Sequence, residues 1–248
     1  MSDHDDAARY AAAAGELLLD LRAQADGDDW ARWSLGDAGD VLANRHLLEL
    51  LRDEHPDDAV LSEESADDPR RLDAPRVWII DPLDGTREFT ELGRSDWAVH
   101  VALWERGRGL TAGAVALPAV GRVLSTAVPP RVPEADGRRP RIVVSRSRAP
   151  AAARRVAEAL DGDLVYLGSA GAKTMAVVLG EVDAYVHAGG QYEWDSAAPT
   201  AVAAAAGLYT SRLDGSPLEY NRPDPWLPDL IVCRPELASR IVAAAAPY

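Results

Sequence analysis

The sequence is short of cysteine, lysine and long apolar runs. A single cysteine, Cys233, stands among 248 residues. Neither an intramolecular disulfide nor a cysteine-based zinc site can form from it, and a reducing cytoplasm is the expected compartment. No stretch approaches the roughly 18 consecutive apolar residues that mark a membrane-spanning helix. The first six residues carry three aspartates, whereas a secretory leader opens basic and then turns apolar. Positive charge is outnumbered, with 26 basic against 40 acidic residues and a net charge of −14. Such a chain is poorly suited to neutralising a polynucleotide backbone, so neither a nucleic-acid polymer nor a membrane is an expected partner. Lys173 is the only lysine. The arginine and alanine excess of a GC-rich coding sequence accounts for that imbalance, so its survival is only a hint of a role.

Hydrophobic residues make up 47% of the chain, enough for a packed interior. The length fits one large domain or two small ones sharing a core. Residues 8–22 carry Ala11, Ala14, Leu18 and Leu21 at helical spacing. Residues 26–37 are rich in Asp and Gly and read as a loop. A second helix is expected over 41–54, stopped by Pro56. Residues 59–62 read as a short strand, and 76–80 as a buried strand ending at Asp81. Runs at 97–104, 112–117 and 122–127, separated by glycine turns, predict an antiparallel meander. Four prolines between 129 and 140 mark a boundary. Residues 1–138 then form an α+β part and residues 139–248 an α/β part. In the second part, strands at 142–145, 164–167, 182–187 and 230–233 alternate with helices at 149–160, 171–179, 196–206 and 235–246. The two parts are expected to merge into layers of helices and sheets.

Three acidic groups follow apolar strands or open helices: Glu63-Glu64, Asp81 with Asp84, and Asp195 behind Trp194. Packing has no need of acids there, and buried together without cations they repel. Hard divalent cations with oxygen ligands resolve the repulsion, and magnesium suits such a set. Bound cations would also reverse the local sign and let an acidic protein take a phosphate ester. Within Asp81-Pro82-Leu83-Asp84-Gly85-Thr86, Pro82 fixes a turn. Asp81 and Asp84 can converge on one or two ions, and the Leu83 carbonyl is a further oxygen. Gly85 permits close approach, and the N–H groups of Gly85 and Thr86 open a turn suited to phosphate. Each group alone has an ordinary explanation: Asp81 or Asp195 as a helix N-cap, Asp84-Gly85 as a turn, Glu63-Glu64 as a solvated edge. Their combination favours a metal centre. Arg146 and Lys173 could meet a second phosphate, although an ordinary surface arginine is an equal reading of Arg146. Tyr192 and Glu193 either line a pocket or pack, and His187 more simply ends a strand than binds metal.

The run Trp78-Ile79-Ile80-Asp81-Pro82-Leu83-Asp84-Gly85-Thr86 resembles the signature of the inositol monophosphatase superfamily, which comprises lithium-sensitive, magnesium-dependent phosphomonoesterases. Trp194-Asp195-Ser196-Ala197-Ala198-Pro199 resembles the second signature, and Glu63-Glu64 stands in the expected place upstream. The likeness implies a layered αβαβα sugar-phosphatase fold, with an antiparallel N-terminal sheet and a mixed C-terminal sheet. It implies two or three magnesium ions: one on Glu63, Asp81 and the Leu83 carbonyl, a second on Asp81, Asp84 and Asp195, a third near Glu63. It gives Asp40 and Thr86, with Glu63 beside them, the task of orienting and deprotonating the attacking water. The stretch Gly36-Asp37-Ala38-Gly39-Asp40 departs from the family's Thr-x-x-Asp pattern, which leaves Asp37 a rival to Asp40. The loop at 26–37 would fold over the site.

Arg87-Glu88-Phe89, Val144-Ser145-Arg146-Ser147 and the segment Gly168 to Lys173 resemble the 3′(2′),5′-bisphosphate nucleotidase subgroup of actinobacterial CysQ type. That likeness implies a small phosphorylated nucleotide substrate. It would be 3′-phosphoadenosine 5′-phosphate, a by-product of sulfate activation, or its sulfated form. The substrate contacts implied are Gly85, Thr86, Arg146, Ser169, Lys173 and Asp195, and Tyr192 and Glu193, which flank Asp195, either line the nucleobase pocket or pack. Inositol 1-phosphate and fructose 1,6-bisphosphate are alternative substrates. A regulatory protein on the same fold is an alternative of another class, against which the intact carboxylate set weighs. A homodimer is left open.

Overall fold

Alternation along one strand, β2 (Arg76–Asp84), sets the layering. Val77 and Ile79 face one side and Trp78 and Ile80 the other, and all four are fully buried, as in a strand covered on both faces. The computed structural model describes residues 2–25 and 34–246. Most of the loop expected at 26–37 lies outside the described residues.

The first sheet has the order β1-β2-β3-β4-β5, formed by β1 (Ala59–Ser62), β2, β3 (Ala98–Glu105), β4 (Gly109–Leu117) and β5 (Arg122–Ser125). One pairing departs from the antiparallel sheet expected: β1 runs parallel to β2, with Ser62 opposite Ile80. This makes the first sheet mixed. It also brings the end of β1 beside the end of β2, so the Glu63 N–H donates to the Ile80 carbonyl at 3.4 Å. Glu63 and Asp81 thereby emerge side by side. The second sheet has the order β7-β6-β8-β10-β9. Its strands are β6 (Arg141–Ser145), β7 (Asp163–Leu167), β8 (Ala184–Tyr192), β9 (Tyr209–Ser211) and β10 (Trp226–Cys233). β6 is parallel to β7 and β8, whereas β10 is antiparallel to β8 and β9. The division expected at residue 138 falls in the connection between β5 and β6.

Three apolar clusters fill the spaces between layers. Helices α1 (Asp3–Gln24) and α2 (Leu35–Glu54) pack on the Trp78 and Ile80 face of the first sheet. A five-residue helix, α3 (Thr86–Thr90), follows β2. The pair α5 (Ala170–Val178) and α6 (Glu193–Ala205) lies between the sheets: Met175, Ala176, Ala197 and Val202 join Val77, Ile79 and Val115 on one side and Val143, Tyr185 and Val232 on the other. The far side of the second sheet, with Ile142, Val144 and Ile231, is covered by α4 (Ala151–Leu160) and α7 (Ala238–Ala245). The result is the αβαβα layering expected.

Several boundaries moved for physical reasons. α2 begins at Leu35, six residues before the expected 41. Gly36 and Gly39 look like loop formers in sequence, but here they let a helix approach. A Cβ on Gly39 would lie 3.0 Å from both Leu83 Cδ2 and Phe89 Cε1, and one on Gly36 would lie 2.8 Å from Thr86 Cγ2. Asp37 and Asp40 are therefore helical residues held over the Asp81–Thr86 segment. β8 runs on to Tyr192 through Gly189 and Gly190, whose φ values of 109° and 92° suit glycine. α6 starts at Glu193 instead of 196, which places Asp195 in its first turn.

Close approach of α6 to β4 makes a sharp test of the layering. A Cβ on Gly113 would lie 2.8 Å from Ala201 Cβ and 3.3 Å from the Ala198 carbonyl oxygen. Gly113→Ala is expected to cost about 1–3 kcal/mol through overpacking, read as a lower urea midpoint. A midpoint equal to that of the parent chain would contradict this packing.

Candidate active site

The C-terminal end of β2 carries Asp81 and Asp84 on a bulge. The register with β3 shifts between them, Asp81 facing His100 and Asp84 facing Ala98. Pro82 lies within that irregularity, where a strand tolerates its missing N–H. The Leu83 N–H turns back to Asp81 Oδ1 at 3.1 Å. Gly85 follows with φ 89°, and α3 begins at Thr86. The chain thus reverses sharply enough for both carboxylates to point the same way.

Asp195 reaches them from α6. One oxygen from each of Asp81, Asp84 and Asp195 lies within 4.8 Å of the others. Asp195 Oδ2 accepts the Tyr192 N–H at 2.6 Å, which fixes its rotamer at the helix start. Asp81 is buried, and its Oδ2 has no hydrogen-bond partner among the described residues. An unsatisfied buried carboxylate oxygen facing two further carboxylates fits a hard cation held by oxygen ligands.

The electrostatics separate these acids into two kinds. Burial, then repulsion from Asp84, Glu63 and Asp195, holds Asp81 well above the usual carboxylate range. Burial and then Asp84 push Asp195 up to about 6. Glu63 keeps much of its surface exposed, yet withdrawal of its carboxyl from water, followed by repulsion from Asp195 and Asp84, pushes it up to about 7. Asp84 behaves oppositely. Burial pushes its pKa up, but His100, Lys173 and Ser169 together bring it down to about 2. Its oxygens accept from Ser169 Oγ at 2.5 Å, the Gly171 N–H at 2.6 Å and the Ala170 N–H at 3.1 Å. Hydrogen bonds from the first turn of α5 favour the ionised form.

His100 was missed in the sequence reading. It is fully buried, with Nε2 3.1 Å from Asp84 Oδ2 and Nδ1 3.0 Å from the Trp194 carbonyl oxygen. Burial opposes its charge, but Asp84 outweighs burial and raises its pKa. It thus joins the β2 side of the centre to the α6 side. A signal was present: His100 is the one ionisable residue in the apolar run from Trp97 to Trp104. Gly171 leaves room for it, since a Cβ there would collide with His100 Nε2.

Asp40, not Asp37, stands within hydrogen-bond reach of Thr86. Thr86 Oγ1 is 3.3 Å from Asp40 Oδ1 and 3.3 Å from the Leu83 carbonyl oxygen, so its single proton is shared between two acceptors. Asp37 is exposed. Burial and then Glu64 push Asp40 up to about 7, while the Thr86 hydroxyl pulls it down.

The segments expected to meet the substrate fare differently. Arg146 is already engaged by two carboxylates. Its Nη1 and Nη2 lie 2.9 and 2.6 Å from the oxygens of Glu91, and its Nε donates to Glu88. A guanidinium matched in this way is strongly held, so Arg146 braces α3 instead of offering a free cation. Lys173 is buried, and its Nζ donates to the carbonyls of Gly168 and Ser169 at 2.8 and 2.6 Å. It shapes the 168–169 turn that presents Ser169 to Asp84. The Ser169 hydroxyl is likewise occupied, donating to Asp84 and accepting from the Ala172 N–H at 2.9 Å. Glu193 is fully buried and accepts the N–H groups of Asn221 and Arg222 at 2.6 and 2.8 Å, a packing role. His187 contacts the Gly190 carbonyl oxygen at 2.9 Å and stays in β8. A cavity of about 790 Å³ beside Trp104 and Tyr220 shares no lining residue with the carboxylate cluster.

Comparison with known proteins gives the family and the fold. The model of the inositol monophosphatase family matches residues 6–247. The 3′-phosphoadenosine 5′-phosphate phosphatase of Mycobacterium leprae is 56% identical over 247 residues, covering 94% of this chain and 89% of that protein. The 3′(2′),5′-bisphosphate nucleotidase CysQ of Escherichia coli K12 is 34% identical over 198 residues, covering 74% of this chain and 78% of that protein. Among solved structures, CysQ from Bacteroides thetaiotaomicron superposes with a TM-score of 0.77 at 28% identity, covering 92% of this chain and 95% of that one. A staphylococcal IMPase-II shares the fold at a TM-score of 0.79 and 20% identity, covering 98% of this chain and 92% of that one.

Carboxylates with raised pKa values bind more protons folded than unfolded. The stability contributed by Glu63, near 7, and Asp195, near 6, is therefore fully present below about pH 4 and lost as pH rises to about 7. A divalent cation replaces those protons. Its stabilisation should be larger at about pH 8 than at about pH 5, read as the rise in Tm between chelator and added magnesium. Equal rises at both pH values would contradict the cluster's role.

Proposed function

Since the chain belongs to the inositol monophosphatase family, we propose that it is a magnesium-dependent 3′(2′),5′-bisphosphate nucleotidase that removes the 3′-phosphate of 3′-phosphoadenosine 5′-phosphate. The observation that carries the reaction is the convergence of Asp81, Asp84 and Asp195 beside the Thr86–Asp40 pair. What supports the substrate is the name carried by relatives 54–56% identical to this chain over nearly its whole length. Glu63, Asp81, Asp84, Asp195 and the Leu83 carbonyl are the oxygens that would hold magnesium. When bound, magnesium supplies positive charge to the phosphate and makes a water more acidic.

The remaining work falls to the chain itself. Asp40 accepts, through Thr86 Oγ1, the proton of the attacking water. A base near 7 is matched to neutral pH, being ionised often enough to act and basic enough to take a proton. Asp84, held near 2, stays ionised throughout and keeps the cluster's geometry fixed. The N–H groups of Gly85 and Thr86 receive a phosphate oxygen at the opening turn of α3, a turn that Gly85 makes with a φ of 89°. No helix among the described residues is long and apolar enough to cross a membrane. A cytoplasmic enzyme acting on a free small nucleotide accords with that.

Phosphate release from 3′-phosphoadenosine 5′-phosphate should exceed that from inositol 1-phosphate and fructose 1,6-bisphosphate. Equal or faster release from either sugar phosphate would defeat the substrate assignment. Asp40→Asn should lower kcat by about 10²–10⁴-fold with little change in KM, as loss of a general base does. A parental kcat in that variant would remove Asp40 from the mechanism.

A further inference from the structure

Arg146, Ser169 and Lys173 are held by other groups of the protein, and the nucleobase can take its support from side chains elsewhere. The strand-to-helix junction that delivers Asp195 supplies candidates. Tyr192 closes β8 three residues before Asp195 and is 45% exposed. Its ring is stacked on Trp194 at 4.8 Å with an interplanar angle of 13°. The Tyr192 N–H is bonded to Asp195 Oδ2 at 2.6 Å. The ring is thus anchored through its own backbone to a proposed metal ligand and backed on one face by an indole, with part of its surface left in solvent.

Trp226 stands directly opposite Tyr192 in the β8–β10 ladder and is 47% exposed. Directly opposed residues of an antiparallel pair project on the same side of a sheet, so the two exposed rings share a face. The indole lies across the strand because Gly190 has no side chain: a Cβ there would sit 2.6 Å from Trp226 Nε1. Gly190 also holds φ 92°, a conformation few other residues adopt. Two large aromatic rings held half in water on one face of the sheet gain hydrophobic free energy when a ligand covers them. A planar base attached to a phosphorylated ribose is the ligand whose shape suits a flat aromatic support.

We infer that Tyr192, flanked by Trp226 and backed by Trp194, is the stacking platform for the substrate's nucleobase and sets the preference for nucleotides over sugar phosphates. This assignment rests on the proposed reaction and adds the residue that selects its substrate class. Stacking acts equally on bound substrate and transition state, so it enters through KM and leaves kcat nearly alone.

The test compares kcat/KM for 3′-phosphoadenosine 5′-phosphate with that for ribose 3,5-bisphosphate, the same skeleton without a base. In Tyr192→Ala the ratio of the two should fall about tenfold, through the nucleotide's KM. Tyr192→Phe should retain most of the ratio, and Trp226→Ala should lower it by a smaller factor. If Tyr192→Ala does not fold, Tyr192→Leu gives the same readout. A parental ratio in Tyr192→Ala, or an equal loss on both substrates, overturns the platform while leaving the reaction intact. A parent chain inactive on the nucleotide overturns both.

Discussion

Mutual repulsion among carboxylates drawn into one small space is the constraint on which the rest of the structure depends. Asp81 and Asp84 are buried at the end of β2, and Asp195 meets them within 4.8 Å. Ionised together in a dry site, such groups destabilise the fold that collects them. The chain gathers them nonetheless, by three separate devices. A parallel β1–β2 pair sets Glu63 beside Asp81, a proline bulge turns Asp84 toward Asp81, and α6 carries in Asp195 from the second half of the chain. A packing need explains none of these placements, whereas shared cations explain all of them.

The acids do not share the burden evenly. Asp84 sits at the start of α5, takes hydrogen bonds from Ser169, Ala170 and Gly171, and lies against His100. Those partners, with Lys173, hold it ionised despite its burial. Asp81, Glu63 and Asp195 are pushed upward and respond to protons or cations. One fixed anion beside several adjustable ones gives a centre that keeps its shape while its occupancy changes. Asp40 stands apart on α2, also raised, and connects to the centre through one threonine hydroxyl. That separation suits the proposed proton acceptor and keeps it apart from the oxygens proposed to hold cations.

Much of this was legible in the sequence. The continuous apolar run around Trp78 pointed to the buried strand, and the acids after apolar strands pointed to the centre. Resemblance supplied the layer order and the choice of Asp40. What stayed hidden depended on contacts between distant segments. Gly36 and Gly39 look like loop residues until Leu83, Phe89 and Thr86 are seen against them. Arg146 and Lys173 look like free cations until Glu91 and the Gly168 and Ser169 carbonyls are found around them. His100 has no neighbouring motif; its meaning comes from Asp84 and Trp194 on other elements. Charge type is visible in a sequence, but whether a charge is already spent is a property of the folded chain.

The central claim, that cations replace protons on a shared carboxylate cluster, is tested most directly by counting protons released on magnesium binding. Calorimetric titration in buffers of differing ionisation enthalpy gives that count. Since Glu63 lies near 7 and Asp195 near 6, these two hold roughly 1.4 protons at about pH 6, and Asp81, raised as well, adds to the release; the count should fall as the pH rises to about 9. Magnesium binding without proton release at the lower pH, or release unaltered by Asp81→Asn, would contradict the account.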